Sequence, residues 1–203
     1  KAIALLQQQK NEQALAAFSQ LSTLFQNNSD AEIQTVVVQA TINQTILLTQ
    51  LERTAEALVV ADKLITQFKA STIEPIQVLL IEFTASFIEF SLLSETKVQT
   101  LKRIETVTLI LNSATLAESN SVVQTITTAI ITFYRFTLSE CSTDDVLTAI
   151  AKVPCGSNFE CSFEDVNEYL STFTGKLATQ LALFVGYFEQ HHDLEQLTAE
   201  LVV

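Results

Sequence analysis

The amino-acid sequence predicts an all-α protein: an α-solenoid of antiparallel helix pairs with a period of about 43 residues, ended by C-terminal capping helices. Three observations carry that expectation. Glycine is absent from the first 155 residues, where it would otherwise break helices; the three glycines are Gly156, Gly175 and Gly186, and the two prolines are Pro75 and Pro154. Apolar residues recur at helical spacing along most of the chain. The same apolar columns also return at a constant offset, as shown below.

The elements follow in order. Ala14, Leu15, Phe18, Leu21, Leu24 and Phe25 form one face of a helix of about four turns. Asn27-Asn28-Ser29-Asp30 then supplies a turn and an N-cap, because a short side-chain oxygen there can accept from the free N–H groups of the next helix. That next helix carries Ile33, Val36, Val37, Ala40, Ile42, Ile46, Leu47 and Leu48. A break at Glu52 to Thr54 precedes a helix with Ala57, Leu58, Ala61, Leu64, Ile65 and Phe68. Ser71 to Pro75 punctuates before a helix from Ile76 to Leu93, and Ser94-Glu95 before one with Leu101, Ile104, Val107 and Leu111. After Glu118 to Ser121 a further helix holds Val122, Ile126, Ile130, Phe133 and Tyr134.

The second helices of successive pairs superpose. Ala14, Ala57 and Thr100 stand 43 positions apart, and so do Leu15, Leu58 and Leu101. Phe18, Ala61 and Ile104 follow, then Leu21, Leu64 and Val107, then Phe25, Phe68 and Leu111. A shorter, slipped copy contains Val146, Leu147, Ile150 and Val153. Helix-pair periods of this length indicate units that bury their faces on neighbours.

Residues 40–53, with Glu56-Ala57-Leu58 and Asp62 to Phe68, resemble a tetratricopeptide (TPR) repeat of the long bacterial type, with small residues at Thr45 and Ala57 and a large apolar one at Leu48. The resemblance covers residues 1–153. It departs from the family at Glu52, where a turn glycine is usual, at Thr54, where an aromatic is usual, and in a period that HEAT-type repeats share. It implies a groove lined by the first helix of each pair. Carried onto this chain, the groove positions are Gln39 and Ile46, then Glu82 and Glu89, then Thr125, Thr132 and Arg135. A polar, locally acidic lining of this kind implies a protein or peptide partner with basic or neutral polar residues.

Residues 154–203 change character. Ser162 to Asp165 has capping-box spacing, and Phe163, Val166, Leu170, Phe173, Leu177, Leu181, Phe184 and Phe188 run as a stripe expected on one long helix. That segment reads as a cap over the open end of the stack, or else as a homo-oligomer interface. A final helix is expected over residues 194–203. Cys155 and Cys161 bracket a polar loop and admit a disulfide, while three free thiols with Cys141 is the equal alternative. The cysteines lean toward the cytoplasm without closing the periplasmic or secreted alternatives. With no Met anywhere, the chain reads as a mature form or a piece of something longer.

Composition removes whole classes of function. A net charge of −12 without a basic cluster disfavours nucleic acid and anionic lipid. Mean hydropathy is +0.30, but no uninterrupted apolar run reaches membrane-spanning length. Phosphate loops, dinucleotide fingerprints and the Gly-x-Ser-x-Gly elbow all lack their glycines. The only histidines, His191 and His192, would point about 100° apart on a helix and do not form an i, i+4 metal pair, even with Asp193 and Glu195 nearby. Cys155 with either histidine is the remaining catalytic option, and no cysteine-protease context surrounds it. The expectation is a protein without catalytic residues, metal or cofactor, which binds another protein.

Overall fold

The computed structural model describes residues 1–153, 163–171 and 176–190. Among the described residues there are ten helices and no strand. They are α1 (Ala2–Gln7), α2 (Asn11–Phe25), α3 (Ala31–Gln50), α4 (Thr54–Phe68) and α5 (Glu74–Ser94), then α6 (Lys97–Ser113), α7 (Glu118–Thr137), α8 (Thr143–Ala151), α9 (Phe163–Ser171) and α10 (Lys176–Glu189).

Local chemistry sets the boundaries. Asp30 caps α3, its Oδ1 accepting from the backbone N–H of Glu32 at 2.9 Å and of Ile33 at 3.0 Å. Pro75 sits in the first turn of α5, where a missing N–H removes no helical bond. Thr96 with Gln99 and Ser142 with Asp145 form reciprocal capping boxes at the starts of α6 and α8.

The turns inside the helix pairs solve the absence of glycine in an unusual way. Gln9 and Glu52, one period of 43 apart, and Ser139, about two periods farther on, take φ values of 58°, 60° and 57° in the left-handed region. Each ends its helix with the same hydrogen-bonding pattern, in which the next residue's N–H reaches back five residues. Lys10 donates to the Leu5 carbonyl, Arg53 to Leu48 and Glu140 to Arg135, all at 2.9 Å. Glu52 therefore stands in a conformation that a glycine would favour. The α5–α6 turn is the exception: Glu95 is extended, with φ −124° and ψ 169°.

Packing follows the sequence register. α3 lies against α2, α4 and α5, while α5 lies against α3, α4, α6 and α7. Four of the five matched columns are interior positions in the second and third copies: Ala57 and Thr100, Ala61 and Ile104, Leu64 and Val107, and Phe68 and Leu111 are all buried, while in the fifth Leu58 is buried and Leu101 only partly so. Ala14, Leu15 and Phe18 are buried as well, but Phe25 is 42% exposed where Phe68 is 6%. The physical reason is coverage, because α4 is sandwiched by the 20-residue α3 and by α5, whereas α2 has only the six-residue α1 on one side.

Two apolar clusters result. The smaller joins α2, α3 and α4 through Leu15, Phe18, Leu47, Leu48 and Ala57, and the larger runs from Val37 of α3 to Phe188 of α10. α5 is long and apolar enough by length and composition to cross a membrane, with a mean hydropathy of 1.7. Most of it is buried by its neighbours, which accounts for that apolarity within the fold.

One sequence expectation is corrected. The stripe from Phe163 to Phe188 belongs to two helices, α9 and α10, which pack on each other. A continuous three-and-four spacing cannot distinguish a long helix from two shorter ones whose apolar faces meet. α10 also packs on α7, where the Phe184 and Phe133 rings stack with centroids 3.8 Å apart. The helix expected over residues 194–203 lies outside the described residues.

Candidate functional site

The residues proposed for the groove are not brought together in one depression. Gln39 is exposed on α3, its amide donating to Asn43 Oδ1 at 3.4 Å, and it borders an open depression of about 460 Å³ with Val78 and Leu79 of α5. The floor of that depression is tied down by Glu74, which accepts from Asn120 Nδ2 at 3.0 Å and the Ala117 N–H at 2.8 Å. These two bonds, the Asn120 one foremost, hold the Glu74 carboxyl below its ordinary pKa. Ile46 lies farther along α3 and is exposed. Glu82 is exposed on α5, yet the protein around it strips enough water to raise its pKa.

Glu89 is engaged within the chain. Gln180 of α10 donates to its Oε2 at 3.1 Å and lies 3.3 Å from the Tyr134 hydroxyl. Burial first, and then the Glu89 charge, push the Tyr134 phenol upward in pKa. Thr125, Thr132 and Arg135 border a different depression, about 500 Å³, between α7 and α8. The two threonine hydroxyls donate to their own helix, to Ser121 and Thr128 carbonyls.

The α5–α6 elbow holds a polar centre that sequence reasoning missed. Arg103 of α6 donates through Nε and Nη2 to the two carboxylate oxygens of Glu95, at 2.6 and 2.8 Å, and through Nη1 to Asp62 of α4. Its guanidinium lies 4.8 Å from the centre of the buried Phe87 ring. Ser91 donates to Glu95 at 2.5 Å and is 2.9 Å from the Thr100 hydroxyl. The bidentate bond to Glu95, with a smaller part from Asp62, raises the Arg103 pKa above its already high ordinary value. The same bond holds Glu95 below the ordinary carboxylate range, with Ser91 assisting.

The repeat shows how far this centre departs from its equivalents. One period upstream of Ser91, Thr100, Arg103 and Phe87 stand Leu48, Ala57, Val60 and Gln44. Leu48, Ala57 and Val60 pack together in the smaller apolar cluster. A step of 43 residues from Val60 to Arg103 was the available signal, because it places a charge in a column that is otherwise apolar.

A cavity of about 360 Å³ opens beside this centre, between α4 and α6. Lys69, Lys102, Gln99 and Thr66 line it together with Arg103, Asp62 and Glu95. Gln99 is fixed by its capping box, its Oε1 accepting from the Thr96 N–H and hydroxyl at 3.0 and 2.8 Å, which leaves Nε2 as the donor end.

Among the described residues, no group of three or more His, Cys, Asp and Glu is placed to hold a metal. Cys155, Cys161, His191, His192, Asp193 and Glu195 lie outside the described residues. Cys141 is described: it is half-buried, donates weakly to the Thr132 carbonyl at 3.4 Å, and has its thiol pKa raised mainly by burial. Comparison with family models, with curated proteins and with solved structures gives no match.

Proposed function

We propose that the chain is a non-catalytic interaction scaffold, an α-solenoid of TPR-like helix pairs that binds a protein or peptide along its first helices. The supporting observation is the direct packing of α3 on α5 and of α5 on α7, with Gln39, Ile46 and Glu82 left exposed on those helices. A row of first helices presenting polar side chains suits an extended or helical polypeptide of basic or neutral polar character. The test uses a partner isolated from the native source and titrated against variants. Glu82→Lys is expected to weaken binding at least tenfold and to flatten its salt dependence. An affinity unchanged by that reversal removes the assignment.

A second reading has its own observation. α10 buries Leu181, Val185 and Phe188, but Leu183 is 70% exposed on its other side. In that reading the chain is a structural or regulatory subunit that self-associates through α10. Light scattering over a concentration series separates the readings, since Leu183→Glu abolishes any concentration-dependent mass only if α10 is the interface.

A further inference from the structure

We infer that the cavity between α4 and α6 is a binding site for a carboxylate group, presented by an acidic side chain of a polypeptide ligand. Gln39 and Glu82 do not line this cavity, so the inference goes beyond the scaffold reading and does not depend on it.

The first argument is departure from the repeat. The α3–α4 elbow shows that an apolar set, Leu48, Ala57 and Val60, closes this place in the fold. At the α5–α6 elbow three of those positions have become polar or charged, and the turn has left the left-handed conformation so that Glu95 can grip Arg103. Replacing a workable apolar contact with a largely buried ion pair gains little stability, because removing charges from water offsets their attraction. Local rules broken together at one place mark function more often than packing.

The second argument is charge. The chain has 11 Lys and Arg against 23 Asp and Glu, and three of those cations converge on this one cavity. Arg103 is already paired with Glu95 and Asp62, through three of its five N–H groups. Lys69 and Lys102 have no carboxylate at ion-pair distance among the described residues, and both are exposed. Lys69 and Lys102 are thus the free cations, Gln99 Nε2 is a neutral donor, and Arg103 is a fixed wall that cannot swing away. Three cations against two carboxylates leave one net positive charge. A carboxylate matches it, whereas a phosphate dianion exceeds it and meets Asp62 and Glu95.

The experiment is an amide NMR titration of the full chain with N-acetyl-glutamic acid amide, which carries a single carboxylate, and separately with inorganic phosphate at constant ionic strength. The expected result is saturable shifts at Lys69, Gln99, Lys102 and Arg103. Lys69→Ala/Lys102→Ala should weaken the affinity at least fivefold, while Lys10→Ala/Lys63→Ala, outside the cavity, keeps it within twofold. Shifts that do not saturate, that spread over all lysines, or that weaken equally in the control pair overturn the site. Tighter binding of phosphate overturns the carboxylate assignment. All four substitutions are at exposed side chains, and the starting spectrum of each variant reports its fold directly.

Discussion

The elbow between α3 and α4 and the elbow between α5 and α6 occupy the same place in the repeat and are closed by opposite chemistry. In the first, Leu48 and Ala57 are buried in an apolar cluster, and Glu52 turns the chain through a left-handed residue. In the second, Ser91, Glu95, Thr100 and Arg103 form a hydrogen-bonded centre around an extended Glu95. The comparison separates what the architecture requires from what this chain adds to it. Helix pairs need only a small residue and some contact at the elbow; a guanidinium held by two carboxylates is an addition.

The comparison can be broken most forcefully on the apolar side. Leu48→Ala removes a fully packed side chain and should cost about 3 kcal/mol, the range for large-to-small core changes that leave a cavity. Ser91→Ala, at the equivalent place, removes one hydroxyl and should cost about 1 kcal/mol. Urea midpoints at constant slope measure both. Equal losses would mean that the two elbows carry the same load.

Arg103→Ala should cost about 2 kcal/mol, less than for a fully buried pair because Asp62 is half exposed and screened by solvent. The loss comes from stranding Glu95 and Ser91, not from the pair's own worth. Restoring the apolar pattern with Ser91→Leu, Thr100→Ala and Arg103→Val, and neutralising the stranded carboxylate with Glu95→Gln, should therefore recover at least half of the loss. A quadruple variant less stable than Arg103→Ala would show that the polar centre is required by the fold.

Acid sharpens the same point. Glu95 has a folded pKa below its unfolded one, so its contribution is complete above the unfolded value, about 4.3 for a glutamate, and fades as pH falls through the folded value. Glu82, shifted upward by lost hydration, has the opposite sign and favours the folded state as it is protonated. Stability measured from pH 5 to pH 2 should fall more steeply in the parent chain than in Glu95→Gln. Parallel curves would place Glu95 outside the linkage.

How much of this was legible in the sequence depended on whether a residue's role was periodic. The columns through Phe18, Ala61 and Ile104 could be read because burial repeats with the helix pair, and their interior positions match. The α3 cap at Asp30 could be read because its chemistry is local. The Arg103 centre could not, since its partners Asp62 and Glu95 lie 41 and 8 residues away and meet only when α4 packs near α6. The engagement of Glu89 by Gln180, 91 residues on, had no sequence signal at all. The two-helix division of residues 163–189 was hidden because both apolar faces meet the same interior, leaving one unbroken stripe.

The smallest expected effect tests the turns themselves. A non-glycine residue in the left-handed region has its Cβ crowded against the backbone at a cost of about 1 kcal/mol, which glycine escapes while losing part of the gain to a freer unfolded chain. Glu52→Gly should therefore stabilise by about 0.5 kcal/mol, as should Gln9→Gly and Ser139→Gly, each raising the melting temperature by about 1 to 2 °C. Glu95→Gly should do the reverse, because the residue there is extended and its carboxylate is the main partner of Arg103. Opposite signs at positions 52 and 95, one period apart, would show that the α5–α6 turn is held by its ion pair and not by backbone preference. Stabilisation at both would show that the polar centre follows from the turn rather than setting it.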